Sequence, residues 1–252
     1  MLEVEKNGEI HLLRLQRPPV NALNPELIGA FRQQLESSIN DGAGGIIITG
    51  REGLFSAGLD VPALLQLDRD GMSRFWQEFF GLLECLARSP IPTVAALSGH
   101  SPAGGTVISL YCDYRVMAAG DYKLGLNEVQ VGLVVPQVIQ NTLARLIGPH
   151  AAERHMVTGD MISADKALGL GMVDELAEAD QVVAAATRWL ERHLALPRQA
   201  MLETRRLARG NLTEMFDDAS AFGVERFVNL WFAEHTQQAL HAMVARLGKK
   251  KG

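Results

Sequence analysis

This chain of 252 residues has few of the features that mark secreted, membrane or nucleic-acid-binding proteins. It has two cysteines, Cys85 and Cys112. Two cannot build a disulfide framework, and both stand among apolar residues, which suits buried thiols in a reducing compartment. No apolar run approaches the ~18 residues that cross a bilayer as a helix, so no membrane span is expected. The start, Met1-Leu2-Glu3-Val4-Glu5, lacks the positive charge and apolar stretch of a secretion signal, and a cytoplasmic placement is expected. Basic residues number 24 against 29 acidic ones, a net charge of −5, and such a surface repels nucleic acid as a general partner. The seven histidines are scattered, and no His/Cys/Asp/Glu cluster has the spacing of a metal site. A P-loop and a dinucleotide-binding fingerprint are both missing. So are internal repeats and low-complexity stretches, apart from Lys249-Lys250-Lys251, which reads as a solvated tail.

What remains is an ordinary globular composition, 47% hydrophobic and 21% charged, with length for one large domain and a small appendage. The first fifteen residues alternate around Asn7-Gly8 as a hairpin carrying Ile10, Leu12 and Leu15. Asn24 suits a helix cap and Pro25 a first helical position, and Leu27, Ile28, Phe31, Leu35 and Ile39 then recur at helical spacing. The run 45–50 is apolar and β-branched, a strand buried on both faces. A loop of small residues (51–60) and a helical stripe over 72–88 follow, then a strand from Thr93 to Leu97. Gly99-His100-Ser101-Pro102-Ala103-Gly104-Gly105 leads into a buried helix, Thr106 to Cys112, and a strand, Tyr114 to Met117. Strand, loop and helix thus occur twice, which argues an α/β fold. Beyond about residue 135 helices dominate. Those after Pro197 (Leu202 to Arg209, Phe216 to Val228, Thr236 to Leu247) bury little alone and need a surface to pack on.

Two loops and one carboxylate could carry chemistry. Pro102-Ala103-Gly104-Gly105 opens a helix, where main-chain N–H groups lack internal partners and glycine lets a ligand approach. Such donors stabilise an oxyanion, and Phe55-Ser56-Ala57-Gly58-Leu59-Asp60 could supply another. Both loops equally suit tight connections in a compact fold. Gly99 to Ala103 comes near a hydrolase nucleophile elbow, but Ala103 stands where that motif has glycine, and His100 reads as a structural residue. Glu128 sits among Leu126, Val129, Val131, Leu133 and Val134. An apolar setting would raise its pKa and fit it for general-base work; a surface glutamate at a strand end is the other reading.

At 55–60 and 101–105, followed by Cys112-Asp113-Tyr114-Arg115, the chain resembles the crotonase (enoyl-CoA hydratase/isomerase) superfamily. The resemblance continues through Gly125-Leu126-Asn127-Glu128, Gly148, Ala151-Ala152-Glu153-Arg154 and Gly171-Met172-Val173-Asp174, and it looks most like the mitochondrial-type Δ3,Δ2-enoyl-CoA isomerase branch. It implies an α/β spiral of ββα units over residues 1–196, holding CoA and active site, and a helical region over 197–252 for packing and oligomerisation. It implies homotrimers or hexamers, and an acyl-CoA thioester as substrate, with no metal or separate cofactor. The N–H groups of Leu59 and Gly104 would hold the thioester oxygen, and Glu128 would be the catalytic base. Ser56, Ala57, Gly58, Asp60 and Asn127 would border the substrate. Hydratases of the superfamily carry a second glutamate where this chain has Val107. That departure favours an isomerase of fatty-acid β-oxidation, with a hydratase, another single-glutamate activity, or a non-catalytic acyl-CoA binder as alternatives.

Overall fold

The computed structural model describes residues 1–218 and 222–249. The opening hairpin forms as expected: β1 (Leu2–Asn7) and β2 (Ile10–Leu15) pair antiparallel in the register Asn7↔Ile10. Helix α1 (Pro25–Asn40) starts at the Asn24 cap, whose side chain accepts the Leu27 N–H at 2.9 Å. After it, β3 (Gly45–Thr49) is wholly buried. The chain then repeats one device three times: a strand in a large sheet, a short strand in a small one, then helical structure. The first round is β3, β4 (Gly53–Leu54), α2 (Val61–Leu64) and α3 (Arg69–Arg88). The second is β5 (Thr93–Leu97), β6 (Gly99–Pro102) and α4 (Gly104–Leu110). The third is β7 (Tyr114–Ala118), β8 (Lys123–Gly125), a 3₁₀ turn (Glu128–Val131) and helices α5 (Gln137–Ile147) and α6 (Pro149–Thr158).

Two strands follow that the helical reading of the second half did not anticipate. β9 (Ile162–Ser163) pairs with β8, and β10 (Glu175–Ala177), after α7 (Ala164–Leu170), pairs with β7. The sheets run β1-β2-β3-β5-β7-β10 and β4-β6-β8-β9, parallel apart from the β1/β2 and β8/β9 pairs. Helix α8 (Val182–Leu194) covers one face of the large sheet, seating Val182, Ala185, Ala186 and Leu190 on Ile47, Val94 and Val116. The main core fills the other face.

Beyond Pro197 come α9 (Arg198–Ala208), α10 (Gly210–Thr213), α11 (Val224–Trp231) and α12 (Glu234–Lys249). The expected helix from Phe216 to Val228 does not form as one piece. A 3₁₀ turn covers Glu214–Phe216, and Gly223, at φ +58, precedes α11. Part of that expected span, 219–221, and Lys250-Lys251 of the lysine tail lie outside the described residues. The region after Pro197 packs on its own chain. Asp113, between α4 and β7, accepts Arg205 Nε and Nη2, both at 2.8 Å, and Arg209 Nη1 at 2.9 Å. Burial pushes that carboxyl up, but the two guanidiniums and the Thr93 N–H outweigh it and hold the group below the usual range. Asp113 therefore clamps α9 to the sheet.

Candidate active site

Two main-chain turns and one carboxyl meet at a single cavity. The first turn spans residues 55–60 and is held from behind by Asn21, which adopts φ +49 as asparagine can. Asn21 Nδ2 donates to Phe55 O at 3.1 Å, and Asn21 O accepts from Ser56 Oγ at 2.7 Å. The Ser56 oxygen also accepts the Gly58 N–H at 3.1 Å, so this wholly buried hydroxyl braces the turn. Gly58 takes φ +83, and a Cβ there would lie 3.1 Å from Pro102 O and 3.3 Å from Gly104 N. The two turns therefore touch. Leu23 N–H donates to Gly58 O at 2.8 Å and Asp60 N–H to Leu23 O at 2.9 Å. That pairing passes over Leu59, whose own N–H meets no main-chain acceptor among the described residues.

In the second turn Ala103 has φ +47, a conformation that costs a residue with a Cβ ~1–3 kcal/mol. Its N–H donates to Gly125 O at 2.8 Å, and it caps α4. Gly104 is then the first helical residue, with an N–H that has no intrahelical acceptor. Leu59 and Gly104 line the same cavity, and a Cβ on Gly104 would stand 3.6 Å from Leu59 Cδ2. Two adjacent free donors in a largely apolar setting can stabilise an oxyanion.

The carboxyl belongs to Glu128, at the start of the 3₁₀ turn three residues after β8. The residue as a whole is half-buried, but its Oε2 is buried and meets no hydrogen-bond partner among the described residues. Burial pushes its pKa up to about 7, and its own main-chain N–H pulls weakly the other way. A carboxyl near that value exchanges protons readily at neutral pH. The apolar setting is not the one expected from its sequence neighbours. Val129 is 39% exposed, and of the flanking residues only Leu133 and Val134 line the cavity. The remaining wall comes from afar: Trp76 and Phe79 of α3, Ile139 of α5, and Phe227 and Leu230 of α11, with Val107 of α4. The cavity, mouth included, measures ≈ 440 Å³.

Ala57 and Asp60 flank the Leu59 turn, both half-buried. Asp60 Oδ1 accepts the Ala63 N–H at 3.1 Å to cap α2, and its Oδ2 pairs with Arg17 Nη2 at 2.7 Å. Asn127 adjoins Glu128 but does not line the cavity; its buried Oδ1 has no hydrogen-bond partner among the described residues. Ser101 is wholly buried, while the exposed His100 accepts the Lys123 N–H at its Nδ1 at 3.1 Å. No nucleophile–base pair exists there, and the hydrolase elbow falls away. Asn21, Trp76, Phe79, Phe227 and Leu230 were not singled out in the sequence as site residues. Phe79, in the helical stripe over 72–88, and Phe227 and Leu230, in the helical tail, read as packing residues, and Asn21 and Trp76 carry no signal.

This geometry, an α/β spiral with free main-chain donors and a buried carboxyl at one cavity, defines a class of enzyme folds, and the comparisons agree. The enoyl-CoA hydratase/isomerase family profile matches residues 5–248. The mitochondrial enoyl-CoA delta isomerase 1 of Rattus norvegicus is 32% identical over 254 residues, 99% of this chain and 88% of that protein. A probable enoyl-CoA hydratase of Mycobacterium tuberculosis is 30% identical over 223 residues, 86% of this chain and 81% of that protein. The crystal structure of the human mitochondrial delta3-delta2-enoyl-CoA isomerase superposes with a TM-score of 0.94 at 31% identity, covering 100% of this chain and 99% of that one. The chain belongs to the enoyl-CoA hydratase/isomerase family, the crotonase superfamily.

Proposed function

We propose that this protein is a Δ3,Δ2-enoyl-CoA isomerase. The observation that carries the proposal is that Glu128 brings the one carboxyl among the described residues lining the cavity, where Val107, which lines it too, is apolar. Hydration requires groups to activate water and to manage the α-proton. A double-bond shift requires only one base that takes a proton and returns it. The Glu128 carboxylate removes a proton from C2 of a 3-enoyl thioester, and the electron pair of that C–H bond enters the conjugated system. The resulting dienolate carries its negative charge largely on the thioester oxygen, held by the N–H groups of Leu59 and Gly104. Glu128 then returns the proton at C4, the C3–C4 π bond is lost, and the double bond rests between C2 and C3. No atom is gained or lost.

The turn around Ala57 and Asp60 would border the CoA portion, and the apolar wall of Trp76, Phe79, Phe227 and Leu230 would receive the acyl chain. The protein would work as a homotrimer or a pair of trimers. The test is the purified chain with a 3-enoyl-CoA and, separately, a trans-2-enoyl-CoA. Formation of the conjugated 2-enoyl thioester by the native chain, and its loss in Glu128→Gln, supports the isomerase. Hydration as fast as isomerisation returns the assignment to a hydratase. Acyl-CoA binding with no turnover of either substrate leaves a binding protein.

A further inference from the structure

Resting on the isomerase reading, we propose that Thr106 is a positioning residue that fixes the Glu128 segment against the Gly104 turn. Thr106 lies in the first turn of α4, is wholly buried and does not line the cavity, so it is not placed to touch substrate. Its hydroxyl joins two elements. It donates to Ser101 O on β6 and accepts the Gly125 N–H at 2.9 Å. The directions are unambiguous, because a carbonyl can only accept and an N–H only donate. Gly125 O is held in turn by the Ala103 N–H at 2.8 Å. Both polar groups of the Gly125 main chain are therefore tied to the stretch that presents the Gly104 N–H.

Behind Gly125 there is no room to retreat. Its φ is +154, and a Cβ would meet Asp160 O at 2.6 Å. β6 and β8 share only the pairs Ser101↔Leu124 and Pro102↔Gly125, and Pro102 has no N–H to contribute. The hydroxyl thus strengthens the last rung of a very short ladder, three residues before Glu128. A reacting group displaced by ~1 Å can lose ~10²-fold in rate. Thr106 sets the separation between base and oxyanion donors.

The experiment compares Thr106→Val, Thr106→Ser and Ser109→Ala with the native chain in 3-enoyl-CoA isomerisation. Ser109 is the control, a buried hydroxyl of the same helix that donates to Thr106 O at 2.7 Å and makes no bond to the Glu128 segment. Thr106→Val should lower kcat about 10- to 100-fold with KM changed less than about threefold. Thr106→Ser should restore most of the rate, and Ser109→Ala should keep kcat within about threefold whatever it does to stability. Native kcat in Thr106→Val, equal kcat losses in Thr106→Val and Ser109→Ala, or a loss that rises in KM alone would overturn the positioning role while leaving the isomerase intact. If Thr106→Val does not fold, Thr106→Ser and Thr106→Ala decide by the same split between kcat and KM. Failure of the native chain to isomerise the substrate would remove both readings together.

Discussion

Glu128 is asked to be uncharged enough to sit in an apolar cavity and charged enough to take a proton. A pKa of about 7 divides those states evenly near neutrality. The rate should therefore rise with pH and level off above about 7, and Glu128→Gln should lose at least ~10²-fold in kcat. Stability should move the other way. The folded carboxyl keeps its proton to about pH 7, whereas the unfolded one loses it near 4.5. Across that interval the folded state binds more protons, so native stability declines as pH rises. Glu128→Gln escapes the decline, and its stability relative to the native chain should improve by about 2 kcal/mol between pH 5 and pH 8. Urea denaturation at the two values measures this; a gap that does not change with pH would contradict the buried carboxyl. Val107 makes the complementary prediction. Its methyl groups cannot orient water, so trans-2-enoyl-CoA should be hydrated orders of magnitude more slowly than the 3-enoyl substrate is isomerised.

Elements explain what could be foreseen and what could not. Helix α1 was legible because Asn24 and Pro25 act within a few residues of themselves, and β3 because Ile46, Ile47 and Ile48 need burial on both faces. The short strands β4 and β6 read as loops: Gly-Leu and Gly-His-Ser-Pro are too short to show alternation, and only pairing with each other and with β8 makes them strands. The turns bearing Leu59 and Gly104 were visible through their small residues. The cavity wall was not, because Trp76, Ile139 and Phe227 come together only when distant helices pack. The clamp on α9 has the same character. Asp113 stood in a recognisable run, but nothing in that run names Arg205 or Arg209 as its partners. Asp113→Ala would leave two inward-facing guanidiniums uncompensated and should cost ~3–5 kcal/mol, with faster amide exchange in α9. The clamp's contribution is present above the unfolded carboxyl value of 3.8 and is lost as pH falls through the lower folded value.

For the whole molecule, α9 has no buried residue, and Leu196 and Leu207 are 49% and 64% exposed in the single chain. These features accord with the proposed assembly, and light scattering at micromolar concentration should give the mass of three or six chains. A monomer would refute it. Within one subunit, the cavity has its own order of construction. The ribosome makes Glu128 well before Phe227 and Leu230, which close the wall beside it. Until α11 docks, that part of the wall is missing, and the burial that raises the Glu128 pKa is incomplete. The base acquires its chemistry late, when a helix synthesised long after it shuts out the solvent.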